Sequence, residues 1–95
     1  MVYDIRLNPV KEILVRYIYQ AADITMISSL SGLDQGSIAA GGAAVNYCQA
    51  VLERACLEGA PKVDAVLDRA KHHLKGTVAE APLRAVVERY RQARD

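Results

Sequence analysis

Few residues in the chain are of types that do chemistry: two adjacent histidines, two cysteines and one glycine-rich stretch. His72 and His73 fall in a segment with helical periodicity, where neighbouring side chains point about 100° apart. A metal clamp on one helix needs ligands three or four residues apart, and no cysteine or carboxylate cluster supplies the rest of a site. They read as solvated histidines near a helix C-terminus, with no metal. Cys48 and Cys56 are eight residues apart in another helical stretch. That spacing separates them by about 12 Å, beyond disulfide reach. They read as small core hydrophobes in a reducing compartment. Gly36-Ser37-Ile38-Ala39-Ala40-Gly41-Gly42-Ala43 has the glycine spacing of a phosphate loop. Gly42 and Ala43 stand where that loop needs Lys and Ser/Thr, and no strand precedes it. No nucleophile–base pair is supported either, so neither a cofactor nor an enzymatic activity is expected.

The elements that would carry these residues are helical. Asn8-Pro9 reads as an N-cap followed by proline at the first helical position of a helix over about 9–20. Val10, Ile13, Leu14, Tyr17 and Ile18 form its apolar stripe. Asp23 reads as the cap of a second helix carrying Ile24, Ile27 and Leu30 and ended by Gly32. A turn follows, with one short helical turn through Ile38. The third helix spans about 43–58, with Ala44, Cys48, Val51 and Ala55 on one face and Tyr47 and Leu52 beside it. Gly59-Ala60-Pro61 breaks the chain ahead of the best amphipathic pattern, Val63, Val66, Leu67, Ala70 and Leu74, with Gly76 as its C-cap. Pro82 starts the last helix, with Leu83, Val86, Val87 and Tyr90 on one side and a polar tail from Arg91. No alternating run marks a strand. The chain therefore reads as one all-α domain over residues 1–95, a compact bundle of five to six helices.

Composition narrows the function classes. Hydrophobic residues are 52% and charged residues 24% of the 95, which excludes a disordered or collagen-like chain and a disulfide scaffold. The stretch from Gln35 to Leu52 has no charged residue but contains Ser37, Asn46, Gln49 and three glycines, so it reads as a buried helix with its lead-in rather than a membrane span. The opening MVYDIRLNPVKE has no apolar core of a signal peptide, which points to the cytoplasm. A net charge of +1 gives no global argument for nucleic acid or membrane binding. The charge is uneven, however: residues 61–95 carry eight basic and five acidic groups, whereas residues 1–34 carry three and four. Such a dipole suits head-to-tail association with a like domain.

Residues 41–76 carry a family pattern. Gly41-Gly42-Ala43-Ala44-Val45-Asn46-Tyr47, then Leu52-Glu53-Arg54-Ala55, Glu58-Gly59 and Lys62-Val63-Asp64-Ala65-Val66-Leu67, resemble the prokaryotic effector-associated domain, the bacterial branch of the death-like adaptor modules. Upstream, Ile27 to Asp34 is similar to that family's second helix and its Leu-Asp exit, so the resemblance covers about two-thirds of the chain. Two departures stand out. Tyr47 occupies a position that is often Trp in the family, and Thr77-Val78-Ala79-Glu80-Ala81-Pro82 replaces a Pro-Asn-containing exit. The resemblance implies a six-helix bundle of the death-fold type. It implies a non-enzymatic adaptor whose partner carries a related domain, or is a second copy, in a bacterial conflict or antiphage system.

On this reading Glu53, Glu58, Asp64 and Asp68 face Arg69, Lys75, Arg84 and Arg89 of a neighbouring copy. Each exposed pair contributes only about 0.2–1 kcal/mol, so the interface must be a multi-contact one that weakens with salt. Tyr47 is expected in the core with its hydroxyl on a polar partner, and Asn46 bonded to backbone in the preceding loop. The rival reading is a small DNA-binding regulator or antitoxin-like protein using Arg84, Arg89, Arg91 and Arg94, though no base-reading signature accompanies them.

Overall fold

Near the N-terminus the Asp4 carboxylate accepts the Arg6 N–H at 2.9 Å and caps a 3₁₀ turn at Ile5–Leu7. In this computed structural model, which describes residues 3–18, 21–33 and 44–94, that turn runs directly into helix α1 (Asn8–Tyr17). Asn8 is thus not the N-cap. It already has helical angles, and its side-chain oxygen accepts the Tyr3 hydroxyl at 2.7 Å. Pro9 sits in the first turn, where its missing N–H costs nothing. Helix α1 ends at Tyr17, short of the expected end, because Ile18 turns to an extended conformation while its N–H still reaches Leu14 O at 2.7 Å.

Helix α2 (Ala21–Leu30) holds Asp23 inside its first turn rather than at its cap. It buries Ile24, Ile27 and Ser28, and Ser31 just past its end continues the same face. Leu30, grouped with Ile24 and Ile27 in the sequence, is 55% exposed for that reason. The helix closes with two crossed bonds, Leu33 N–H to Ser28 O and Gly32 N–H to Ser29 O, which require the left-handed φ of +78° at Gly32. Lys62 Nζ donates to Gly32 O at 3.0 Å and so places a cation at the helix C-terminus. The expected short turn through Ile38 lies outside the described residues, as does the glycine-rich stretch up to Ala43.

Helices α3 (Ala44–Glu58) and α4 (Ala60–His73) meet at a corner made by Gly59 alone. Gly59 N–H bonds Ala55 O to finish α3, and its carbonyl accepts from Lys62 and Val63 to start α4. One residue serves both helices only at φ +117°, which excludes a side chain. Beyond α4, Leu74 is the C-cap, and Gly76 lies in the turn that follows. Thr77 then shapes the entry to α5 (Glu80–Arg94): its hydroxyl oxygen accepts the Ala79 N–H at 3.2 Å. Helix α5 starts two residues before Pro82 and stays helical through the expected polar tail.

The five helices make an all-α bundle with no strand among the described residues. Helix α3 packs most extensively on α4; α1 contacts α3 and α5, and α2 contacts α3 and α4. Leu7, Val10, Leu52, Leu67 and Leu83 are wholly buried at the centre. A cavity of about 10 Å³ remains among Leu14, Ile24, Ile27, Val51 and Val66. Its apolar lining offers a water no partners. No helix among the described residues is long and apolar enough to cross a membrane.

Candidate interaction surface

The chemical groups are placed without a shared site. Cys48 is buried on α3, and burial pushes its thiol up to about 11. Cys56, half-buried two turns on, is raised by the same cause. Thiols held protonated in this way are poor nucleophiles. His73 Nε2 lies 3.9 Å from Asp23 Oδ1 across the α2–α4 contact, while His72 points to solvent. Among the described residues no group of three or more His, Cys, Asp and Glu side chains could hold a metal ion.

The charged residues are better organised. Helices α4 and α5 run antiparallel, which sets the aspartates early in α4 against the arginines late in α5. Arg91 Nε donates to Asp64 at 3.3 Å and its Nη2 to Asp68 at 2.9 Å. Arg94 reaches both oxygens of Asp64, at 3.1 and 3.2 Å, and lies over the Tyr90 ring at 5.3 Å. The Arg91 hydrogen bond holds the Asp68 carboxyl below the ordinary aspartate range, against a smaller opposing effect of desolvation. Lys71 adds a contact to Asp68 at 3.6 Å. On α3, Glu58 accepts from Arg54 at 2.6 Å, and Glu53 accepts from Gln49 at 3.4 Å. All four acidic residues expected to meet a neighbouring copy therefore have partners in their own chain.

The four basic residues differ. Arg69, Lys75, Arg84 and Arg89 are exposed and make no ion pair with another described residue. Lys75 and Arg84 are brought together with Lys71, His72 and Glu80 in a depression where α4 ends and α5 begins. Arg69 lines an adjoining depression with Leu30, Ala65, Asp68 and His72, so His72 joins the two. Arg89 is apart, in a groove with Ile5, Pro9, Val86 and Tyr90. The Arg84, Arg89, Arg91 and Arg94 set of the DNA reading is likewise divided, since two of its members are bonded to aspartates.

Tyr47 is 3% exposed, and its hydroxyl lies 2.6 Å from Thr25 Oγ1, tying α3 to α2. Asn46 is exposed, and the loop before it is outside the described residues. The residues that sequence reasoning missed are Leu30 and His72. The i, i+3, i+4, i+7 series Ile24, Ile27, Ser28, Ser31 was the signal that turns Leu30 outward. No known protein-family model, curated protein or solved structure matches the chain.

Proposed function

We propose that the protein is a cytoplasmic adaptor of the prokaryotic effector-associated, death-like type. It binds a like or related helical domain and so recruits an effector in bacterial conflict or antiphage signalling. The family pattern from Gly41 to Gly76 supports this reading. The observation that carries it is the division of charge: the anticipated acidic residues are bonded within the chain, whereas Arg69, Lys75 and Arg84 stand exposed around His72. Unpaired basic groups on a rigid helix pair retain their charge for a partner, which steers association and sets its specificity.

Light scattering coupled to size exclusion, over a concentration series at low and high salt, is the first test. Mass that grows with concentration and falls with salt assigns self-association; a constant monomer mass assigns the complementary surface to another protein. Arg84→Glu with Arg89→Glu is expected to weaken association with either kind of partner, and unchanged association removes these residues from the interface. Tight binding to duplex DNA with a steep salt slope, lost in the same variant, would replace the adaptor reading with the regulator one.

A further inference from the structure

We propose that the strip along the outer side of α4, between α2 and the start of α5, is a docking site for an acidic amphipathic helix of a different protein. The proposal rests on the adaptor reading and specifies its partner. The strip has an apolar end, Leu30 at 55% exposure beside Ala65, with Arg69 and His72 next to it. Met26, 44% exposed, lies one turn before Leu30 on α2. Beyond His72 the strip continues into Lys71, Lys75, Glu80 and Arg84. An apolar patch beside charged groups suits a protein partner that is itself part apolar and part charged. From Ala65 to the end of α4 at His73 the helix advances about 12 Å, a little over two helical turns of a partner lying along it.

The charges on the strip define the occupant. Of its two carboxylates, Asp68 is paired with Arg91 and Lys71, and Glu80 accepts the Gly76 N–H at 3.3 Å; Arg69, Lys75 and Arg84 outnumber them and leave a basic surface that selects acidic side chains. The described residues of a second copy do not supply them. The exposed carboxylates among the described residues are Glu12, Asp68 and Glu88. They stand singly on α1, α4 and α5, and Asp68 is already paired with Arg91 and Lys71. The described helices therefore present no acidic face complementary to the strip, and the light-scattering mass is expected to be that of the monomer. A nucleic acid fits less well, because the exposed Leu30 meets no apolar partner on a phosphate backbone.

The test is an NMR titration of the isotope-labelled chain with a synthetic helical peptide of about 15 residues, Leu at every third or fourth position and Glu on both flanks. A copy with Lys in place of Glu and a short DNA duplex serve as controls. The expected result is salt-sensitive amide shifts at Leu30, Ala65, Arg69 and His72 with the Glu peptide alone. Leu30→Ser with Arg69→Glu should weaken that binding by about tenfold or more at unchanged melting temperature, since both side chains are exposed. No shifts, equal shifts with the Lys peptide, or tighter binding of the duplex at this strip would each overturn the proposal. Shifts confined to the groove of Ile5, Val86 and Arg89 would overturn it too, while leaving the adaptor reading in place on another face.

Discussion

Replacing Tyr47 tests whether α2 and α3 are joined by a hydrogen bond or only by packing. Tyr47→Phe removes the oxygen and leaves the buried ring. A neutral hydrogen bond contributes about 1 kcal/mol net, and Thr25 sits at an exposed position where water can replace the lost partner. The expected cost is therefore about 0.5–1 kcal/mol. For a chain of this size that lowers the melting temperature by roughly 2–8 °C. Thr25→Val should cost more, about 1–3 kcal/mol, because it strands the Tyr47 hydroxyl in a residue that is 3% exposed. The double variant should then be close to Tyr47→Phe alone. Tyr47→Ala, which empties the ring's volume, should cost about 3–5 kcal/mol. Urea unfolding followed by far-UV circular dichroism measures all four. Equal stability of Thr25→Val and the wild type would refute the hydrogen-bond account. A Tyr47→Ala protein as stable as the wild type but unable to bind would move Tyr47 from core to interface.

Gly32→Ala should destabilise by about 1–2 kcal/mol through its left-handed φ of +78°; the new Cβ also meets Lys62 Nζ at 2.8 Å, a flexible group that can move aside. Thermal melts of Gly32→Ala beside Gly32→Asn check this, with Asn the milder because it tolerates that conformation. Asp4 and Asp68 have folded carboxyl values lowered chiefly by hydrogen bonds from Arg6 and Arg91. Their stabilisation is thus present above the unfolded value of about 3.9 and lost as the pH falls through the lower folded values. Urea midpoints should accordingly drop on acidification below about pH 4, and Asp4→Asn with Asp68→Asn should flatten the drop. In the native protein at pH 8 a thiol reagent should modify Cys56 well before Cys48, whose thiol is buried and raised to about 11. Equal rates, both as fast as in urea, would contradict the placement of Cys48.

The sequence expressed some elements more fully than others. Helix α4 was legible because Val63, Val66, Leu67, Ala70 and Leu74 keep one helical spacing and are all buried. The break at Gly59 was equally plain. Helix α2 was misread at Leu30 because two of its buried positions, Ser28 and Ser31, are polar; Ser31 enters the core by donating its hydroxyl to Ile27 O at 2.7 Å. Asn8 looked like a cap because the preceding 3₁₀ turn depends on Asp4 and leaves no apolar period. The candidate surface was half legible. Exposed basic residues can be picked from a chain, and Lys75 and Arg84 do line one depression. That Asp64 and Asp68 are held by Arg91 and Arg94 follows from the antiparallel alignment of α4 and α5, over separations of up to 30 residues that no local pattern encodes.

The contact of Arg6 Nη1 with Ala93 O, 2.8 Å long across 87 residues of chain, bears on the order of folding. Closing a loop of that length costs about 4 kcal/mol of chain entropy before any contact offsets it. The α3–α4 corner closes over the single residue Gly59 and meets almost no such cost. Folding should therefore start at that corner, with the 3₁₀ turn and α1 docking on α5 late. The same order run backwards makes this contact an early point of opening. In native hydrogen exchange, the first turn of α1 and the last turn of α5 should lose protection together, ahead of the amides of α3 and α4.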